Sequence, residues 1–158
     1  MINAAIIGLG WWGTHIVNTL QGESEKIRFL WAVDIVPDTK FEFAQSKGIK
    51  ITAEFTDVLN DSAVEAIVLA TPHSMHEEQI IAAAKAGKHV FCEKPLALTL
   101  ASAQRSVTAC EEAQVVLGIG HERRFEPAMQ RISRLIVTGE LGKIMHVEAN
   151  FSHDKLAN

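Results

Sequence analysis

The chain has 158 residues, 47% of them apolar and 22% charged, and a formal net charge of −4 at neutral pH. This length and balance suit a globular domain with a sizeable core. The absence of a basic block argues against nucleic acid or an anionic membrane as partner, and no apolar stretch approaches the ~18 residues that span a bilayer.

Cys92 and Cys110 form no CxxC pair and fall in separate segments. They are expected to be reduced, mostly buried thiols. No charged stretch precedes the short N-terminal apolar run, so no secretory signal is expected and the protein is placed in the cytoplasm.

Asn3–Ile7 is a short apolar run that leads into Gly8-Leu9-Gly10-Trp11-Trp12-Gly13, and Thr14–Leu20 follows with helical spacing. Strand, glycine turn and helix in this order form the dinucleotide-binding fingerprint. Gly8 permits the tight turn, Gly10 lets backbone approach a diphosphate, and Gly13 allows the helix to pack closely on the strand. Three glycines in six residues also occur in ordinary turns, so the remaining chain must decide. A second strand, Ile27–Val33, ends at Asp34, 21 residues after Gly13. A carboxylate there can accept hydrogen bonds from the adenosine ribose and repel a 2′-phosphate, favouring NAD over NADP. The alternative role is a turn or cap aspartate ahead of Pro37.

Pro37–Lys47 reads as a helix with Phe41 and Ala44 facing inward and a stop at Gly48. Residues 49–51 read as a short strand and residues 56–59 as a helical turn. Val64–Ala70 is mostly apolar, as expected of a strand buried on both faces. It runs into Thr71-Pro72-His73, a loop at a strand's carboxyl end, where open α/β sheets bind ligands. Ser74 and Glu77 have the spacing of a capping box for a helix reaching Ala86. His89–Cys92 is a fifth strand that opens into Glu93-Lys94-Pro95. Lys94 is there a candidate acid or base, with a solvated loop lysine as the alternative. A helix over residues 99–114, a sixth strand over 115–120, a helix opened by Arg123–Pro127 and a strand over 144–151 complete the pattern. Alternating strands and helices with short connections predict an α/β doubly wound, mostly parallel sheet. His73 and His76 are followed by Glu77 and Glu78. Such residues at a helix start more often cap it or meet solvent than bind a cation, so no metal is expected.

Five motifs together resemble the Gfo/Idh/MocA oxidoreductases. They are Gly8-x-Gly10-x-x-Gly13, Ala70-Thr71-Pro72 with His76, Ala86-Gly87-Lys88-His89-Val90 running into Glu93-Lys94-Pro95, Gly120-His121-x-x-Arg124-Phe125-x-Pro127, and Gly139-x-x-Gly142. The resemblance implies that Glu93-Lys94-Pro95 is the active-site signature, with Lys94 catalytic near the nicotinamide. It implies that Thr71, Pro72 and His76 line the cofactor and that Arg124 lies near it or at the site's mouth. His73 departs from a frequent asparagine. Backbone N–H groups of Trp11 and Trp12 would face the diphosphate, while at least one of their rings packs. Lys94 also has a physical rationale: oxidising an alcohol needs a base for the hydroxyl proton while hydride leaves for the nicotinamide.

The implied activity is that of the N-terminal portion of an NAD-dependent oxidoreductase acting on a sugar, polyol or related hydroxy compound. Two alternatives are an NAD-binding module without turnover and an NAD-dependent glycoside-cleaving member of the family. The implied domains are a Rossmann domain over 1–122, a connecting helix and turn over 123–143, and, over 144–158, the first strand of an antiparallel α+β domain. That second domain implies a homo-oligomer.

Overall fold

The computed structural model describes residues 1–150. Contacts divide the chain into two units, the first Met1–Gly120 and the second from His121 onward. In the first unit the strands are β1 (Ile2–Ile7), β2 (Ile27–Val33), β3 (Lys50–Thr52), β4 (Ala66–Leu69), β5 (His89–Cys92) and β6 (Leu117–Ile119). They form one sheet in the order β3-β2-β1-β4-β5-β6 with every pairing parallel. This is the doubly wound order with its topological switch between β1 and β4.

The sheet is apolar on both faces because helices cover both. Ala4, Ile6 and Val68 point to one face, where Val17 of α1 (Trp11–Leu20) and Phe43 of α2 (Phe41–Ser46) pack. Ala5, Ile7, Ile67 and Leu69 point to the other. There they meet Val58 of α3 (Phe55–Asn60), Ile80, Ala83 and Ala84 of α4 (His76–Lys85) and Cys110 of α5 (Leu100–Glu112). Alanines on α4 bring that helix close to the sheet. Thr99 caps α5, its hydroxyl accepting from the Ser102 N–H at 3.1 Å. The second unit contains α6 (Pro127–Val137), an amphipathic helix opened by a proline in its first turn. Among the described residues no helix is long and apolar enough to cross a membrane.

Four local expectations are corrected. Ser74 does not cap α4. The Pro72 carbonyl takes the Met75 N–H at 2.9 Å in a turn, so the helix starts later, at His76, with Met75 as an N-cap that offers no side chain. Glu77 instead reaches Arg105 on α5. The helix expected from Pro37 begins as a 3₁₀ turn over Pro37–Lys40 before α2. Phe41 then faces solvent at 54% exposure, while Ala44 is buried as expected. Finally, residues 144–150 form no strand. A strand needs a ladder, and no partner strand lies beside this stretch among the described residues. The remainder of that expected strand falls outside the described residues.

The amino-terminal edge of the sheet is tied by a polar network. Lys88, buried just before β5, donates from Nζ to the carbonyls of Asp61 at 2.8 Å and Val64 at 2.7 Å. The Asp61 carboxylate accepts from the Ala63 N–H and from Trp31 Nε1–H on β2, both at 2.8 Å. The Ala63 amide, and then the indole, hold the Asp61 carboxyl below its ordinary 3.8. A depressed carboxylate adds stability that is complete above the unfolded-chain value and is lost as pH falls through the folded one. Urea unfolding followed from neutral to acid pH will show the midpoint falling below the ordinary carboxylate range. In Asp61→Asn that part of the acid limb will be missing.

Candidate functional site

Parallel register brings five strand ends into line. Ile7 pairs with Val33 and Leu69, Leu69 with Cys92, and Cys92 with Ile119. The residues that follow, Gly8, Asp34, Ala70, Glu93 and Gly120, therefore stand in one row along the carboxyl edge. Each donates its N–H back to a neighbouring strand or its continuation: Gly8 to Val33, Asp34 to Thr52, Ala70 to Ile7, Glu93 to Leu69 and Gly120 to Cys92. The switch point lies in the middle of this row, where strand connections diverge to opposite faces and leave a crevice.

The glycine loop enters the row from β1. A Cβ on Gly13 would collide with the Gly8 carbonyl oxygen, so only glycine lets α1 start this close to the strand. Gly10 differs: nothing stands within 4 Å of where its Cβ would be. The chain is thus open on that side, beside the N-terminus of α1, whose first-turn N–H groups have no intrahelical acceptor. Asp34 is fixed against the same loop. Its Oδ2 accepts from the Leu9 N–H at 2.9 Å and its Oδ1 from the Val36 N–H at 3.1 Å. The side chain is half-buried, and each oxygen retains a lone pair.

The loops after β4 and β5 supply the other expected residues. Pro72 and His73 are exposed and Thr71 is half-buried. The Thr71 hydroxyl donates to Gln79 Oε1 at 2.6 Å. His76 is enclosed, 1% exposed, with Nε2 3.0 Å from the Thr71 carbonyl and Nδ1 3.0 Å from the Pro95 carbonyl. It holds two loops rather than presenting a ring to open space. Glu93 is buried and accepts from the Lys94 N–H at 3.2 Å. Its carboxyl lies against Gly120, where a Cβ would come within 2.7 Å of Oε1. The adjoining Lys94 side chain is exposed. The neighbouring thiol of Cys92 is pushed up to about 12 by burial and then by the Glu93 charge, which makes it inert.

Trp11 is 78% exposed, whereas Trp12 is half-buried. Both stack on His15, one turn into α1, with centroids 6.0 and 5.0 Å away. Arg124 belongs to the second unit, exposed on a 3₁₀ turn over Glu122–Phe125. Among the described residues no three His, Cys, Asp or Glu side chains gather as a metal site. Two participants escaped the sequence reading. The Leu9 amide is a backbone group with no sequence signature. Gln79 carried a signal in its spacing, three residues after His76 on the same face of α4.

A family model described as an oxidoreductase family with an NAD-binding Rossmann fold, Gfo/Idh/MocA, matches residues 2–121. The chain belongs to that family. It is 31% identical over 155 residues to scyllo-inositol 2-dehydrogenase (NAD(+)) of Bacillus subtilis, covering 98% of this chain and 45% of the relative. It is also 31% identical over 153 residues to 2,7-anhydro-N-acetylneuraminate hydratase of Escherichia coli, covering 95% and 40%. Among solved structures, scyllo-inositol dehydrogenase from Lactobacillus casei, with bound NAD(H) and scyllo-inositol, superimposes with a TM-score of 0.84 at 25% identity. That match covers 91% of this chain and 43% of the other. The chain thus spans about two-fifths of the length of the curated relatives it matches.

The two loop glycines separate packing from access. Gly13→Ala will lower unfolding stability by about 2–3 kcal/mol, because backbone rather than a flexible side chain must give way. Gly10→Ala, with open space around it and φ of −65°, will stay within about 1 kcal/mol of the parent. Chemical denaturation of both variants checks the contrast.

Proposed function

We propose that this chain holds NAD(H) along the carboxyl edge of its sheet as the cofactor half of an oxidoreductase acting on a sugar, polyol or related hydroxy compound. The observation that carries the proposal is Asp34. Its carboxylate is bonded to the glycine loop at 2.9 Å, so a ribose-reading acceptor stands beside a loop open to a diphosphate at Gly10.

Each group has a role in that arrangement. Gly8, Gly10 and Gly13, with the N–H groups of Trp11 and Trp12, bind the diphosphate at the helix N-terminus. Asp34 accepts from the adenosine ribose hydroxyls and repels a phosphate on them. Thr71, Pro72 and His73 line the crevice from β4, with His76 behind them and Glu93 opposite. Arg124 is the remaining residue proposed to bind the cofactor. The nicotinamide, when bound, accepts or returns the hydride. Lys94 takes the hydroxyl proton as an alcohol is oxidised and returns it to the carbonyl oxygen in the reverse direction. The domain division over 1–122, 123–143 and 144–158 belongs to the same proposal. So does homo-oligomerisation, for which Met129, Ile132 and Ile136 on α6 offer exposed apolar surface. Two buried free thiols, Cys92 and Cys110, suit a reducing cytoplasm.

A second reading, an NAD-dependent glycoside-cleaving member of the family, is favoured by the relative named a hydratase, an activity other than net dehydrogenation. Product analysis distinguishes the two, since only net dehydrogenation changes the reduced cofactor stoichiometrically.

Two measurements test the proposal. Calorimetry will show NADH binding with NADPH weaker by roughly tenfold or more, a difference that narrows in Asp34→Ser as phosphate repulsion is removed. Absence of binding by either nucleotide rejects the proposal. In an active preparation, Lys94→Ala will lower kcat by about 10²-fold or more while leaving NADH affinity within a few-fold. Full turnover in that variant removes Lys94 from the chemistry.

A further inference from the structure

The β4–β5 ladder ends at Leu69 opposite Cys92, with one more bond from the Glu93 N–H to the Leu69 carbonyl at 3.0 Å. Beyond it the two chains separate, one into Thr71-Pro72 and the other into Glu93-Lys94-Pro95. The next tie between them is a side chain, His76, from the first turn of α4. Its ring nitrogens lie 3.0 Å from the Thr71 and Pro95 carbonyl oxygens. Among the described residues, no backbone N–H reaches either of these carbonyls. Gln79, one turn further along the same face, takes the Thr71 hydroxyl at 2.6 Å. The first turn of α4 therefore grips the β4 loop twice and the Lys94–Pro95 turn once.

Both partners of His76 are acceptors only. A neutral imidazole has one N–H and would leave a bare lone pair facing a carbonyl oxygen, while the doubly protonated ring has a donor for each. We propose that His76 is a positioning residue that donates from both ring nitrogens, clamping the Thr71 loop to the Lys94–Pro95 turn and so fixing where Lys94 stands. The clamp itself is independent of the cofactor; its value to catalysis rests on the role proposed above for Lys94.

The test uses the full chain, labelled with nitrogen-15, at neutral pH and without nucleotide. Long-range proton–nitrogen spectra are expected to show both His76 ring nitrogens as proton-bearing, with the signals assigned by their loss in His76→Phe. A ring nitrogen with the shift of a free lone pair overturns the proposal. The Phe variant, similar in shape but without donors, supplies a second readout. Amide exchange at Glu93 and Met75 is expected to quicken roughly three- to tenfold, the value of one lost hydrogen bond. Exchange at Asp34 and Gly120, in the same row but outside the clamp, is expected to stay unchanged. A folded variant with unaltered exchange at Glu93 and Met75 also overturns the proposal. If the variant does not fold, the ring spectrum of the parent chain decides, with assignment by residue-selective histidine labelling. Neither readout involves NADH, so a failure of nucleotide binding remains a separate result.

Discussion

Helix α1 meets strand β1 without room for a methyl group between them. The Gly8 carbonyl occupies the space that a side chain on Gly13 would need. This contact sets the helix N-terminus directly over the strand end and aims its free N–H groups into the crevice at the switch point. It also leaves the Leu9 N–H free to meet the Asp34 carboxylate at 2.9 Å. A wider separation would lose the loop's compactness, and with it the link between the two groups proposed to read the diphosphate and the ribose.

The sheet divides its work between its two edges. At the amino edge Lys88, Asp61 and Trp31 form a closed network in which each polar atom serves a neighbour. At the carboxyl edge Gly10 is open, Lys94 is exposed, and Asp34 retains free lone pairs. Closed networks hold a fold, and unfinished ones leave capacity for a ligand. His76 is the exception at the carboxyl edge, a fully engaged group among available ones, and its position explains how the unfinished loops stay in place.

The parallel, doubly wound sheet and the residues of the row were legible in the sequence because they depend on local signals: apolar runs for buried parallel strands, a glycine pattern, and an acidic residue at a fixed distance. Features set by long-range packing were not legible. Lys88 was noticed only within a motif, since nothing in Ala-Gly-Lys-His-Val announces two carbonyl partners more than twenty residues away. His76 was expected to line the cofactor, and its enclosure at 1% exposure was not legible, because burial depends on how α4 sits on the sheet. Ser74 had the spacing of a cap, but the turn at Pro72 displaced the helix start beyond it. Phe41 followed helical periodicity in a segment that opens as a 3₁₀ turn, which rotated its ring outward.

The paired tryptophans give the chain an optical property. Trp11, Trp12 and His15 form a triangle of neighbouring rings at the start of α1, with one indole in solvent and the other half-covered. The chain's third tryptophan, Trp31, lies on β2 and is bonded to Asp61. Indole emission falls where reduced nicotinamide absorbs. These rings thus stand beside the loop proposed to carry the nucleotide, where their emission would gauge the occupancy and redox state of that proposed site.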